Sequence, residues 1–242
     1  MKKSITLLAV TLMFVSVTNA QIWGNKKVKG NGNVTTETRN TGDYDGIKCA
    51  GNMDFILVAG NEGNITLEGE SNLLEHIVTE IKKGDLIVKV KKGVSLKASN
   101  GKTIKITIPF RDINKVSLAG SGDVVTQDKI NANNFSVSLA GSGDMILDIE
   151  ARDLKGSLAG SGDITLKGST GDFKVSLAGS GDIHAFDLQA DNVNVSLAGS
   201  GDIKVTSNGS LKASVAGSGD IEYKGNPKVT KKVAGSGSVS KN

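Results

Sequence analysis

The chain has one cysteine, two prolines, two histidines and nine aromatic residues in 242 positions. The lone thiol, Cys49, excludes an internal disulfide; as a small apolar residue it is expected to be buried, with a free thiol or an interchain cross-link as the alternatives. One Trp, two Tyr and six Phe leave little to build a sugar-stacking groove from. There is no HExxH, no GxSxG and no P-loop. With only His76 and His184 available, a Cys49–His76 nucleophile pair is the sole arrangement of that kind to weigh, and a structural cysteine is preferred. Charge of one sign is also missing, with 29 basic against 25 acidic residues. Loss of Lys2 and Lys3 with a leader would leave 27 against 25, which excludes a nucleic-acid footprint.

Long apolar runs are equally scarce. Ile5 to Val17 is the one candidate, and it is too short to span a bilayer. Behind basic Lys2 and Lys3, and ahead of Thr18-Asn19-Ala20, it reads as a signal peptide over residues 1–20, cleaved before Gln21. The expected locations are the periplasm, the outer cell surface or the medium, with no transmembrane segment in the mature chain. No cysteine follows the apolar run, so a lipid-modified N-terminus is not expected.

Glycine is what the chain has in excess, 31 residues against two prolines. Disorder would bring more proline and less regular apolar spacing. These glycines recur at fixed offsets, as turn residues do. The heptapeptide SLAGSGD begins at Ser117, Ser138, Ser157, Ser176 and Ser196. SVAGSGD follows at Ser214, and a degraded KVAGSGS at Lys232. A period of 18–21 residues is the mark of a solenoid whose repeats are stacked coils.

Aligned on the motif Asp, apolar residues fall nine, seven and five positions before it and one and three after it. One coil reads Phe173, Val175, Leu177, then the glycine turn, then Ile183 and Ala185. Both segments alternate with a period of two, which is strand periodicity and excludes helical repeats. A propeller blade needs about 40 residues and four strands. The predicted fold is therefore all-β: a parallel β-helix or β-solenoid of six or seven coils over residues 117–242, right-handed by the general crossover preference. Length variation falls between the second strand and the next Phe, Leu or Val, a connection expected to be a loop that tolerates insertions.

Ahead of the repeats, residues 21–43 read as an extended leader and 44–116 as an N-terminal section of irregular strands capping the solenoid. Ile47–Cys49, Met53–Val58, Ile65–Glu68, Leu86–Val90 and Ile104–Ile108 are the strand candidates, and Asn72 is a candidate cap for a short helix over residues 72–77. Residues 44–242 are expected to form one continuous domain.

Stacking the motif aligns Asp123, Asp144, Asp163, Asp182, Asp202 and Asp220. Two unit charges 5 Å apart repel by roughly 0.8 kcal/mol even in water-like dielectric. Backbone N–H groups within each turn, lysines, solvent or a cation must offset this. Calcium is the sharp alternative, since calcium β-rolls carry a similar Gly-x-Gly-x-Asp pattern, but at about half this period. The structural turn is preferred, and no catalytic, cofactor-binding or metal-ligating residue is assigned. Stacked carboxylates could in principle serve a polysaccharide-cleaving β-helix enzyme. An active site is one special place, however, and this Asp occurs on six coils. The serines that open each motif form a small-residue stripe, read as a solvated face or a contact surface for a partner or another copy.

The iterated SLAGSGD, together with Asn72–Ile77, Gly84–Val88 and Ile106-Thr107-Ile108-Pro109, resembles the auto-transporter adhesin family with the head GIN domain, over about Tyr44 to Asp220. The resemblance implies an exported bacterial protein of β-helix-like fold and brings no catalytic residues. An auto-transporter ends in a membrane β-barrel of many amphipathic strands. None follows the last coil here, so export is expected to rest on the signal peptide. The expected function is a non-enzymatic surface or periplasmic binding scaffold, an adhesin for a protein or glycan partner. The alternatives are a self-assembling envelope component and an enzyme acting on acidic polysaccharide.

Overall fold

The computed structural model describes residues 25–242, so the signal peptide read at 1–20 lies outside the described residues. In chain order the strands are β1 (Lys26–Lys29), β2 (Val34–Gly42), β3 (Gly46–Gly51), β4 (Asp54–Ala59) and β5 (Gly63–Glu70). A single helical turn, α1 (Ser71–Leu74), leads to β6 (Ile77–Lys82), β7 (Asp85–Val90), β8 (Val94–Lys97) and β9 (Lys105–Phe110). The repeats supply β10 (Lys115–Gly120), β11 (Val124–Thr126), β12 (Ile130–Gly141), β13 (Met145–Gly160), β14 (Ile164–Gly179), β15 (Ile183–Gly199), β16 (Ile203–Gly217), β17 (Ile221–Lys224), β18 (Lys228–Gly235) and β19 (Val239–Lys241). The result is a β-solenoid of about seven turns with an irregular N-terminal region, as the period-two pattern predicts.

Each motif starts in one sheet, turns at Gly-Ser-Gly-Asp, and continues in a second sheet. Equivalent residues are paired in parallel register from floor to floor. Leu118 aligns with Leu139, Leu158, Leu177, Leu197 and Val215, while Met145 aligns with Ile164, Ile183, Ile203 and Ile221. Adjacent strands are about 4.8 Å apart, so these columns fill the shaft continuously. The inward sites named by the period are buried up to Ile221; beyond it Tyr223 and Val229 are half-buried and Val233, in the last copy, is exposed. A fully buried Phe173 or Leu177 contributes about 1.5–3 kcal/mol over an exposed one.

The glycine corner is the sharp turn that recurs on every floor of the repeats, as Gly-Ser-Gly-Asp and, in the last copy, as Gly-Ser-Gly-Ser. β13 to β16 each run 15–17 residues, from the second sheet round a bend to the first sheet of the next floor. Register shifts fall at these bends, between Thr165 and Gly168 and between Ala185 and Gln189. That third side absorbs the length variation as bent, continuous strand and not as the loop that the spacing suggests.

The N-terminal region is built differently. β3 and β4 already form a floor, in parallel register with β10 and β11 above them. The chain then leaves the stack through β5, α1 and β6, and returns to place β7 and β9 beneath β3 and β4, parallel to them. Antiparallel β6 and β5 close the two sheets below, with β2 antiparallel outside β5. β1 pairs with β8 in a separate two-stranded sheet. The helix is shorter than predicted, and Asn72 does not cap it. The Asn72 side chain accepts from Asn31 N–H at 2.9 Å and donates to the Lys29 carbonyl at 2.7 Å, holding the chain after β1.

Two buried acids pin this region. Glu70 accepts hydrogen bonds from Gly32 N–H at 2.6 Å, Ser99 N–H at 2.8 Å and Ser99 Oγ at 2.6 Å. The Ser99 donors lead in holding its carboxyl below the ordinary range. Asp85 lies between Lys48 and Lys115, both at 2.8 Å. Burial works to raise its pKa, but the two ammonium groups outweigh that and the net direction is down. Lys115 reaches Asp85 across Gly46, where a Cβ would come within 2.5 Å of Lys115 Cε.

Candidate functional site

The glycine corner is the most conspicuous feature of the sequence, and its chemistry is internal. The first glycine of each turn has φ near +140°, for example Gly160 at +140° and Gly179 at +141°. The second is packed so closely that a Cβ on Gly162 would lie 1.9 Å from Gly143 O. The aspartates answer their own repulsion through the backbone. Asp123 Oδ1 accepts from Asp144 N–H at 3.0 Å, Asp144 Oδ1 from Asp163 N–H at 3.0 Å, and Asp163 Oδ1 from Asp182 N–H at 2.8 Å. The ladder continues to Asp220, whose Oδ1 accepts from Ser238 N–H at 2.7 Å. The expected bond within each turn is thus replaced by one to the next floor. Among the described residues no group of three His, Cys, Asp or Glu side chains is placed to hold a metal ion.

Cys49 points into the shaft in the column of Val88 and Leu118, and burial pushes its thiol pKa up, the opposite of what a nucleophile needs. His184 is half-buried on an outward position of the second sheet. The serine stripe lies on the outer face of the first sheet, half-buried at Ser138 and exposed at Ser176. Ser157 Oγ donates to Ser138 Oγ at 3.1 Å.

The concave polar surface is on the third side. Alternation slips there: Arg152 and Asp153, then Asp191 and Asn192, turn outward in succession before Leu154 and Val193 return to the core. The bend fans these side chains apart. Register aligns Asn134, Asp153, Asp172, Asn192 and Ser210 in one column. Ser136, Lys155, Lys174, Asn194 and Lys212 align in the next. Asn192 Nδ2 donates to Asp172 Oδ1 at 3.1 Å, Ser210 Oγ to Asn192 Oδ1 at 2.8 Å, and Arg152 pairs with Asp153 at 2.7 Å.

Cavities of about 620 and 730 Å³ open along this side and share Asn131, Ala132 and Asn133. A third, of about 250 Å³, shares Asp153 and Lys155 with the first. Together they form one corridor of amides, carboxylates, hydroxyls and ammonium groups crossing several floors. It can hydrogen-bond a polar chain at many points, and Ile113, Ala132, Phe135 and Phe173 give it apolar surface as well. From sequence alone the Asp column and the serine stripe stand out, and the corridor does not. The signal was present: a polar or glycine pair stands directly before the inward Phe, Leu or Val in each repeat, as in Asn133-Asn134-Phe135 and Gly171-Asp172-Phe173.

A stack of in-register parallel coils, closed at one end by antiparallel strands, makes this a capped β-solenoid. Residues 43–227 match the family described as "Putative auto-transporter adhesin, head GIN domain", and the chain belongs to that family. No curated protein matches it. Among solved structures it is similar to a "putative adhesin" of Bacteroides fragilis, with 25% identity over 89% of this chain and 100% of that one, at a TM-score of 0.79. A "putative lipid binding protein" of Parabacteroides distasonis is 31% identical over 90% of this chain and 100% of its own, at a TM-score of 0.73. A "putative adhesin" of Parabacteroides merdae is 24% identical over 90% and 99% of the two chains, at a TM-score of 0.70.

Proposed function

We propose that this protein is an exported, non-enzymatic binding scaffold of the cell surface or periplasm, an adhesin that grips its partner along the third-side corridor. The observation that carries this reading is the continuity of the corridor. Its two outward columns, Asn134 to Ser210 and Ser136 to Lys212, stay aligned from floor to floor beyond the register shifts, which suits an extended partner better than a small molecule. The Phe, Leu and Val columns fill the shaft, so the outer surface is where a partner would be held. The family description and the similarity to proteins described as adhesins support the role. The apolar run over Ile5 to Val17 supports export.

The test uses beads bearing the purified chain, applied to intact bacterial and epithelial cell surfaces. Alanine at Asn133, Arg152 and Asp172 together is expected to reduce adherence at least ten-fold. Alanine at Thr165, His184 and Lys204, on the outer face of the second sheet, is expected to leave it unchanged. Equal loss from both sets, or from neither, would overturn the corridor as the binding surface. Fractionation of cells making the full chain checks export separately.

A further inference from the structure

The corridor has a basic flank. Lys115, Ser136, Lys155, Lys174, Asn194 and Lys212 stand in one parallel register up the outer face of the first sheet. Lys115, at the bottom, is committed to Asp85 at 2.8 Å. Lys155, Lys174 and Lys212 are exposed, and among the described residues none of the three has a carboxylate at ion-pair distance. The carboxylates two residues earlier on the same strands are engaged elsewhere. Asp153 pairs with Arg152 at 2.7 Å, and Asp172 accepts from Asn192 Nδ2 at 3.1 Å. Floors are about 4.8 Å apart, so Lys155 and Lys174 set two unpartnered ammonium groups side by side, with Lys212 two floors higher. Like charges so placed repel, and an anion laid across them relieves the repulsion. The cavity of about 250 Å³ is lined by these three lysines and by Asp153, Asp172 and Asn192 of the neighbouring column. Another, of about 300 Å³, joins Lys155 and Lys174 to Ser157 and Ser176.

We propose that the partner held along the corridor is an acidic polysaccharide; the proposal rests on the binding-scaffold reading and names the partner's chemistry. The glycan runs up the stack with its carboxylates on Lys155, Lys174 and Lys212 and its hydroxyls on the column from Asn134 to Ser210. A uronic-acid chain carries an anion and hydroxyls on every sugar, which matches a column of cations beside a column of amides, carboxylates and a hydroxyl. Asp153 and Asp172 accept from sugar hydroxyls and repel the close-set phosphates of a nucleic acid. Neither column holds an aromatic on which a base could stack. A chain of acidic residues supplies the charge but no hydroxyls for the second column. Each exposed ion pair is weak by itself. Three on one sheet act together, so affinity grows with the length of the glycan. Reaching from Lys155 to Lys212 crosses three floor spacings, about 14 Å.

The probe is a decamer of galacturonic acid labelled with fluorescein at its reducing end, titrated into the purified chain and followed by anisotropy. Saturable micromolar binding is expected at about 25 mM salt, weakening at least ten-fold at about 150 mM as exposed charges are screened. The dimer is too short to span the three lysines and is expected to compete at least ten-fold less well. Joint replacement by Lys155→Gln, Lys174→Gln and Lys212→Gln is expected to cut affinity at least ten-fold with an unchanged melting temperature. Arginine at the same three positions is expected to retain binding. Glutamine at Lys167, Lys204 and Lys224 removes equal charge elsewhere on the stack and is expected to stay within about two-fold of the parent. No saturation up to millimolar decamer at low salt, or equal losses from the two glutamine sets, would overturn the proposal. So would equal binding of a neutral galactose decamer, a glutamate decamer or single-stranded DNA of the same charge. If the Lys155, Lys174 and Lys212 variant keeps cell adherence while alanine at Asn133, Arg152 and Asp172 loses it, the acidic glycan falls and the corridor stands. If that alanine variant adheres as the parent does, the corridor reading falls by itself.

Discussion

The repeat stack and the N-terminal cap place strands in the same two sheets but hold them by different means. From Lys115 onward one rule is repeated: in-register columns, a glycine corner, and a carboxylate bound to the next floor's amide. In the cap, strands of both directions are held by single contacts made once, such as Glu70 on Ser99 and Gly32, Asp85 on two lysines, and Arg39 on the carbonyls of Leu74 and Ile77. Periodicity lets backbone geometry carry the stack. Where the period is broken, charged side chains take over.

The largest expected effect breaks the rule of the stack. A Cβ on Gly162 would sit 1.9 Å from Gly143 O, and that oxygen belongs to a backbone held from both sides. Gly162→Ala is expected to cost more than about 4 kcal/mol, or to prevent folding, read by urea denaturation. In the cap, a Cβ on Gly60 would meet Pro109 Cβ at 3.5 Å, an ordinary contact. Gly60→Ala is expected to stay within about 0.5 kcal/mol of the parent. Similar losses from the two would mean that the stack owes nothing special to its corner.

The cap should respond in turn to loss of a charge. Asp85→Ala leaves Lys48 and Lys115 without their shared partner, but both are partly exposed and can turn toward water. A cost of about 1–3 kcal/mol is expected, the penalty for unmaking a buried charge-assisted contact. Its pH dependence has a definite sign. The folded pKa of Asp85 is depressed, so its contribution is present above the unfolded value of about 3.9 and is lost as pH falls through the folded one. Glu70 adds in the same direction. Below about pH 4, amides of β6 and β7 are expected to lose exchange protection in the parent. Asp85→Asn should already show part of that loss at pH 7 and a shallower further fall on acidification. An acid response identical in parent and variant would remove Asp85 from the account.

The same contrast explains what could be read from sequence. In the stack, one coil such as Phe173 to Ala185 implies all the others, and the inward sites follow from counting by twos. The strand cores of the cap were also legible at Ile47, Phe55 and Leu86. Their order was not, because nothing local says that β7 and β9 enter between strands laid down earlier. One clue was overlooked. Ala50-Gly51 and Asp54 stand in register with Ala119-Gly120 and Asp123, so Lys48 to Phe55 is a worn copy of the motif, 69 residues before its neighbour in space. β6 and β8 carry too weak a pattern to be legible: Glu80, Ile81 and Lys82 of β6 are all exposed, and β8 has four residues of which only Leu96 is buried. The corridor was missed because it arises where alternation slips, and a search for a strict period discounts those positions.

The smallest effect tests whether side-chain hydrogen bonds matter to the stack at all. Ser157 Oγ reaches Ser138 Oγ at 3.1 Å on the outer face of the first sheet. The backbones at these positions are already paired in parallel register. A half-buried hydroxyl pair on an outer face can still exchange its bond for one to water, and its net worth is small. Ser157→Ala is therefore expected to shift stability by no more than about 0.5 kcal/mol, well short of Asp85→Ala. Thermal melts of the two variants in the same buffer check this. A loss from Ser157→Ala as large as that from Asp85→Ala would place the stack, like the cap, under the control of its side-chain contacts, and the contrast between the two regions would fail.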